Sequence, residues 1–362
     1  MKINVFLTAF LVTVAACAIP ACASGDQDAK NAAPFAEKPE VRVFIDEMHA
    51  QYGFDAAALQ RAFSSVRSNT MVLNAISPNV VPELKRAWRS YRQRFVNRPK
   101  IAEGVDFWKK NEASLVKAQA IYGVPPEIVV AIIGVETGYG RNAGKFSAFE
   151  ALATLAFDYP PRAAFFKNEL VQLLLLVREI GGNPLEYKAS YAGAVGIPQF
   201  MPSSHRLYAV DFDGDKKIDL FRSNADAIGS VARYLSLHGW QAGGMITVPA
   251  LVTSDPAPFL VGGLLPSAPL REFESRGART ATKVPEAAGY ARVALIDLVD
   301  PDAPTEYWIA FNNFYVITRY NRASFYAMSV FQLSEALRAA KNSEAKAKPA
   351  QKKAPRPARR KK

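Results

Sequence analysis

The sequence predicts a mainly helical α+β fold, in which a helical core is discontinuous along the chain and is interrupted late by a small β-rich insertion. Three observations carry this reading. Between residues 41 and 239 apolar side chains recur at spacings of three and four, the spacing of one helix face. From about 243 to 313 prolines and glycines break the chain, and runs rich in β-branched residues take over. From Ala327 the helical spacing returns, so the last helix must fold back onto the earlier ones. A hydrophobic share of 49% in 362 residues suffices for a sizeable core with at least one subdomain.

The chain opens with Met1-Lys2 and an apolar run over 3–16, too short for a permanent bilayer span; it reads as a secretory leader. Its end admits two readings. Val14-Ala15-Ala16-Cys17 has the form of a bacterial lipobox, the favoured reading, with Cys17 as the lipidated residue. Ala21-Cys22-Ala23 fits an ordinary cleavage site. The scheme is therefore a leader over 1–23, a polar linker over 24–38, a catalytic region over 39–340 and a tail over 341–362. Both cysteines lie in the leader, so the folded part is expected to carry neither a disulfide nor a cysteine metal site. No later window is long and apolar enough to cross a membrane.

The net charge of +12 is uneven. From Lys341 onward ten Lys or Arg stand against one Glu, so the tail contributes +9 and the rest +3. It reads as a disordered basic tail, either a solubilising extension or an adhesive for anionic envelope polymers or membrane surfaces. An exported chain is not expected to meet nucleic acid.

Helical patterns cover 41–51, 81–96, 107–122 and 224–239. In 81–96 the residues Leu84, Trp88, Tyr91 and Phe95 draw one apolar stripe, on which a tyrosine is more often core than ligand contact. Gly123 ends the third pattern. Leu170, Leu173, Leu174 and Val177 mark a further helix, stopped by Gly181-Gly182 and Pro184. Within the insertion, 247–252, 291–298 and 306–311 favour strands. Residues 314–319 lead to Tyr320-Asn321, and Ala327, Val330, Leu333 and Leu337 mark the final helix.

The chemistry concentrates on three stretches. Pro125-Pro126 opens a helix that is apolar on nearly every side until Glu136, which sits just before Gly138-Tyr139-Gly140. A carboxyl group there is either the point where the chain re-enters water or, kept protonated by desolvation, a general acid. The run 188–204 has no clear period. It is either a tight loop or a sugar-binding loop in which Ser190, Tyr191, Gln199 and Phe200 supply hydrogen bonds and flat faces. In 211–219 the residues Asp211, Asp213 and Asp215, with the Lys217 carbonyl, match the start of an EF-hand loop. Position twelve is Arg222, so Asp226 would have to complete the shell. The alternative is a solvated acidic turn.

Four motifs together, Gly134-Val135-Glu136-Thr137-Gly138-Tyr139-Gly140, the run from Ser190 to Ser204, the acidic loop and Thr318-Arg319-Tyr320-Asn321, resemble the B-type lytic murein transglycosylases of bacteria. Matching motifs extend from Phe44 to Leu337. The resemblance implies a lysozyme-like core with an additional helical domain and a β domain, acting on peptidoglycan glycan strands in the periplasm. It implies outer-membrane anchoring if Cys17 is lipidated, a soluble periplasmic protein otherwise, and other cell-wall enzymes as partners. By its motif Glu136 matches the family's single catalytic acid/base. Ser190 and Gln199 match polar residues of the sugar groove, Tyr91 a tyrosine near the acid, and Tyr234, Tyr320 and Asn321 further active-site residues. The acidic loop looks like the family's calcium loop, here one residue longer. Catalysis would need no cofactor, and calcium would be structural. The basic tail is not part of the family pattern.

A solitary glutamate suits that chemistry. Glycosidases of the usual kind need two carboxylates. In a lytic transglycosylase the substrate's N-acetyl group and 6-hydroxyl replace the second, and a 1,6-anhydro product leaves. Two rivals remain from sequence: a lysozyme-type hydrolase with a second carboxylate such as Glu150, Asp158 or Asp211, and a peptidoglycan-binding protein without turnover.

Overall fold

The protein, represented by a computed structural model, is described over residues 33–77 and 87–347. The leader, Cys17, Leu84 and the tail beyond 347 lie outside the described residues.

Three short helices come first: α1 (Pro39–Tyr52), α2 (Ala56–Ser64) and α3 (Thr70–Ile76). Asp55 and Asn69 start the second and third by accepting first-turn N–H groups, as short polar side chains do at N-caps. The linker expected up to Lys38 ends earlier. Phe35 is fully buried, its ring 6.0 Å from that of Phe157, and Lys38 pairs with Asp158. One aromatic residue in a polar run was enough to nail the segment to the core.

Then follow α4 (Trp88–Phe95), α5 (Arg98–Lys110), α6 (Glu112–Tyr122) and α7 (Pro126–Thr137). Of the helix expected over 81–96, residues 81–86 lie outside the described residues; Ala87 is extended and a helix runs from Trp88 to Phe95. The helix expected over 107–122 is broken at Asn111, whose side-chain amide donates to the Phe107 carbonyl at 2.8 Å and closes α5. Gly123 ends α6 in the left-handed region, as expected, and the chain turns through 114° into α7.

After β1 (Phe146–Ser147) come α8 (Ala148–Asp158), α9 (Ala163–Ile180), β2 (Lys188–Ala189), α10 (Pro202–Tyr208) and α11 (Asn224–Leu237). The chain then builds β3 (Thr247–Val252), α12 (Ala257–Leu260), β4 (Ala268–Pro269), α13 (Leu270–Ser275), β5 (Ala278–Thr280), β6 (Arg292–Asp300) and β7 (Ala303–Ala310). It closes with α14 (Asn312–Tyr320) and α15 (Ser324–Ala347).

The five late strands form an antiparallel sheet in the order β4-β6-β7-β3-β5. Strand β6 is buried on both faces. Ala294, Ile296 and Leu298 join the main helical core, while Val293 and Leu295 face the small cluster with Phe259 and Phe273. The insertion is thus seated on the main helical core. The main core gathers α4 to α7, α11, α14 and α15. A second one gathers α1 to α3 with α8 and α9 around Phe63, Phe149 and Phe166. The central helix α7 packs mainly on α15 and α5, which explains why the last helix must return across the insertion.

The tail does not start at Lys341. Helix α15 continues to Ala347, and Lys341 to Glu112 and Lys109 to Glu344 pair at 2.5 Å each, tying its end to α5 and α6. Among the described residues no single helix is long and apolar enough to cross a membrane.

Candidate active site

Helix α7 is built to carry a carboxyl group into a dry setting. Pro126 fits its first position, where an N–H has no helical partner. Ile128 to Ile133 are essentially inaccessible. Glu136 lies in the last turn and is half-buried, so its side chain keeps only a partial opening to solvent. Burial pushes its pKa up to about 7, against a smaller opposing pull from a hydrogen bond donated by the Tyr326 hydroxyl to Oε1 at 2.6 Å. Near neutrality a substantial fraction of this group is therefore protonated.

The end of α7 is held from several sides. Gly138 caps it in the left-handed region, and its N–H donates to the Gly134 and Ile133 carbonyls. Tyr139, also left-handed at φ 65, turns its ring back into a slot between α5 and α7. Only glycine leaves room there: a Cβ at Gly104 would lie 2.4 Å, and one at Gly134 2.7 Å, from the tyrosine. The Tyr139 hydroxyl donates to the Lys100 carbonyl at 2.8 Å, and Lys100 Nζ donates to the Gly134 carbonyl at 2.9 Å. Thr137 Oγ1 donates to the Ile197 carbonyl at 2.9 Å and fastens α7 to the 188–204 loop. Together these contacts fix the backbone that aims Glu136.

Three of the tyrosines expected at the site surround it. The carboxylate of Glu136 acts on the titration of Tyr91, Tyr234 and Tyr320, and burial raises all three well above the ordinary tyrosine range. Tyr234 and Tyr320 rings lie 5.0 Å apart, and Phe200 adds a third face at 5.6 Å and 5.8 Å from them. Tyr320 donates to the Pro198 carbonyl at 2.6 Å, and Tyr234 to the Arg319 carbonyl at 2.6 Å. Gln199 is left-handed at φ 52; its amide donates to the Ala143 and Gly196 carbonyls, while its buried Oε1 accepts no hydrogen bond within the protein. Ser190 is nearly buried and accepts the Ala194 N–H at 3.2 Å. Asn321 directly follows Tyr320 and is 9% exposed.

Sequence reasoning passed over Tyr326. The signal was present: it stands four residues before Val330 and seven before Leu333, on the stripe that marks the final helix. A hydroxyl on the buried face of a helix returning to α7 has to find a partner, and it finds Glu136. Since this bond favours the ionised acid, Tyr326→Phe is expected to raise the Glu136 pKa. The alkaline limb of the pH–rate profile should then move up by about one unit. An unmoved limb would assign the hydroxyl a packing role only.

The carboxylates proposed as a second catalytic group are committed elsewhere. Glu150 accepts the Asn69 amide at 3.0 Å, Asp158 pairs with Lys38, and Asp211 accepts the N–H groups of Gly214 and Lys216. Among the described residues no other carboxylate acts on the titration of Glu136.

The acidic loop closes on itself. Carboxylate oxygens of Asp211, Asp213 and Asp226 lie within 4.8 Å of one another, the spacing of oxygens that share one calcium-sized ion. Asp226 is 1% exposed and accepts the N–H groups of Phe212 at 2.7 Å and Asp219 at 2.8 Å. Asp215 is not in this group; it is exposed and accepts the Lys217 N–H at 2.8 Å. The hard-oxygen donor set fits calcium. Asp226 anchors the set on α11, and Asp211 and Asp213 lie in the loop before it.

Residues 36–335 match the family model described as Transglycosylase SLT domain. The chain belongs to the SLT transglycosylase family. It is 41% identical over 310 residues to membrane-bound lytic murein transglycosylase B of Escherichia coli K12, covering 84% of both chains. It is similar to the crystal structure of soluble lytic transglycosylase SltB1 from Pseudomonas aeruginosa, with 44% identity, a TM-score of 0.77, and coverage of 84% of this chain and 100% of that one. The Escherichia coli lytic transglycosylase Slt35, solved in complex with calcium, matches at 40% identity and a TM-score of 0.76, over 85% and 95% of the two chains. SltB3 from Pseudomonas aeruginosa, solved with NAG-NAM-pentapeptide, matches at 28% identity and a TM-score of 0.72, over 83% and 79%. The fold is therefore lysozyme-like, as expected, and the protein is an enzyme of the lytic murein transglycosylase class. The reading of a binding protein without turnover falls with that finding.

Proposed function

We propose that this enzyme cleaves the β-1,4 bond between N-acetylmuramic acid and N-acetylglucosamine without consuming water, leaving a 1,6-anhydromuramoyl end. The observation that carries the proposal is a single half-buried carboxyl group with a pKa near neutrality, walled by tyrosines and free of a carboxylate partner among the described residues. Glu136 donates its proton to the glycosidic oxygen as the bond to the muramoyl C1 breaks. The developing positive charge is taken up by the sugar's own N-acetyl oxygen. The C6 hydroxyl then attacks C1, and the Glu136 carboxylate accepts its proton. Intramolecular attack has the high effective concentration of a tethered nucleophile. Tyr91, Tyr234 and Tyr320 offer apolar faces to the sugar rings, while Ser190, Gln199 and Asn321 hold acetamido and hydroxyl groups. The Oε1 of Gln199 accepts no hydrogen bond from the protein and so is an acceptor that the substrate can engage. Digestion of sacculi in heavy-oxygen water tests the route: the account expects no label at the new muramoyl end, and one incorporated oxygen would make the enzyme a hydrolase.

Calcium is proposed as a structural ion held by Asp211, Asp213 and Asp226, with Asp215 or the Lys217 carbonyl completing the shell. It would join the loop to α11 and replace carboxylate repulsion by coordination. Stripping the metal with a chelator should lower the melting temperature by several degrees, and added calcium should restore it. A melting curve indifferent to both would remove the site. The periplasm, with a lipid on Cys17 and a tail adhering to anionic envelope surfaces, is the proposed location; Cys17→Ser should abolish lipid labelling.

A further inference from the structure

Residues 87–102 hold Arg89, Arg92, Arg94, Arg98 and Lys100, and neither Asp nor Glu. Two of these cations have work inside the fold: Arg92 donates to Gln332, and Lys100 to the Gly134 carbonyl. The guanidinium groups of Arg89, Arg94 and Arg98 are exposed and have no ion pair among the described residues. Helix electrostatics accounts for the backbone setting of Arg94, in the last turn of α4 where the dipole favours a cation, and Asp300 accepts the Arg89 N–H at the other end. Arg98 opens α5 with no acid in that turn, and none of this gives the three guanidinium groups a partner among the described residues.

The position of this rim relative to the acid is informative. Arg94 follows Tyr91 by three residues on α4, so the two share a helix face. Tyr91 packs at 5.6 Å against Phe325, the neighbour of Tyr326, and feels both Arg94 and Glu136. An exposed cation thus stands beside the wall of the cleft. Guanidinium groups in such a place suit a carboxylate, which they bind through paired, charge-assisted hydrogen bonds.

We propose that Arg94, assisted by Arg98, recognises a carboxylate of the stem peptide attached to the muramoyl unit held at Glu136. The inference rests on the substrate reading above, and the relative SltB3 has been solved with a fragment that carries a pentapeptide. A pentapeptide carries its carboxylates out beyond the sugar, whereas a strand stripped by an amidase keeps only the lactyl carboxylate directly on the muramoyl ring.

Binding by the Glu136→Gln protein tests this without turnover. Peptide-bearing strands and strands stripped by an amidase are titrated at low and moderate salt. The Glu136→Gln protein should bind the peptide-bearing strands about tenfold more tightly. Adding Arg94→Gln and Arg98→Gln should remove most of that preference and its salt dependence, and leave affinity for stripped strands within about twofold. A preference that survives both substitutions overturns the proposal. So does an equal loss for both strand types, which would make the rim a site for the muramoyl unit itself, its lactyl carboxylate included, and not for the peptide. Thermal melting of each variant guards against misfolding, and Arg94→Lys, which keeps the charge without the paired donors, supplies a second variant that should retain less than half of the preference. Should the wild type leave both strands uncut while binding stays peptide- and arginine-dependent, the cleavage reading fails and this one stands.

Discussion

Glu136→Gln is expected to lower the rate of strand cleavage by about a thousandfold or more while leaving strand binding intact. The reason is that one side chain performs both proton transfers. A general acid contributes about 10²–10⁴ to a rate, and here no second carboxylate among the described residues can substitute. Glutamine keeps the size of glutamate and can still meet the Tyr326 hydroxyl, so the cleft should keep its shape. Cleavage should also fall as pH rises through about 7, where the free enzyme loses the proton it must donate. Retention of near wild-type turnover would remove Glu136 from the mechanism.

The same substitution should make the protein more stable, and only at higher pH. In the folded chain the Glu136 pKa is about 7, raised above its ordinary 4.5 because burial penalises the charged form. The folded state thus binds the proton more tightly than the unfolded chain, so stability declines as pH rises between 4.5 and about 7. Above that window the full cost is present, about 3 kcal/mol by the conversion of a pKa difference into free energy. Below 4.5 it vanishes. Wild type and Glu136→Gln should therefore melt together near pH 4, with the variant several degrees higher at pH 8. A difference that is constant with pH would mean that the carboxylate is not destabilised by its surroundings. A costly group at the end of a well-packed helix is the expected trade of stability for activity.

How far the sequence could be read follows from the kind of signal each segment carries. Helix α7 was legible from its ends, since Pro126 and Gly138 mark an entry and an exit whatever lies between. Helix α8 was not, because Ala148 to Ala156 are almost all buried and a helix covered on every side shows no stripe. Strands β3, β6 and β7 were found in place, although β6 runs two residues further because its hairpin turn is shorter than composition suggests. Glu136 stood out as a lone charge in an apolar run. The tyrosines gained their roles from resemblance, and only folding shows them converging on one carboxylate. Tyr326 escapes a sequence reading because a tyrosine on the stripe of the final helix does not reveal the partner that its hydroxyl finds after folding. The carboxylate of Asp226, expected to close the acidic loop, lies with those of Asp211 and Asp213, whereas Asp215 stands outside the group, next to Lys216, which is left-handed at φ 71.

The central claim is that cleavage transfers the muramoyl bond to the sugar's own hydroxyl. Mass analysis of muropeptides released from purified sacculi by the wild type tests it most directly. The account predicts products whose muramoyl ends are lighter by one water than those of a hydrolase, and no release by Glu136→Gln. Muropeptides with free reducing ends, at the mass of the hydrolysed product, would contradict it.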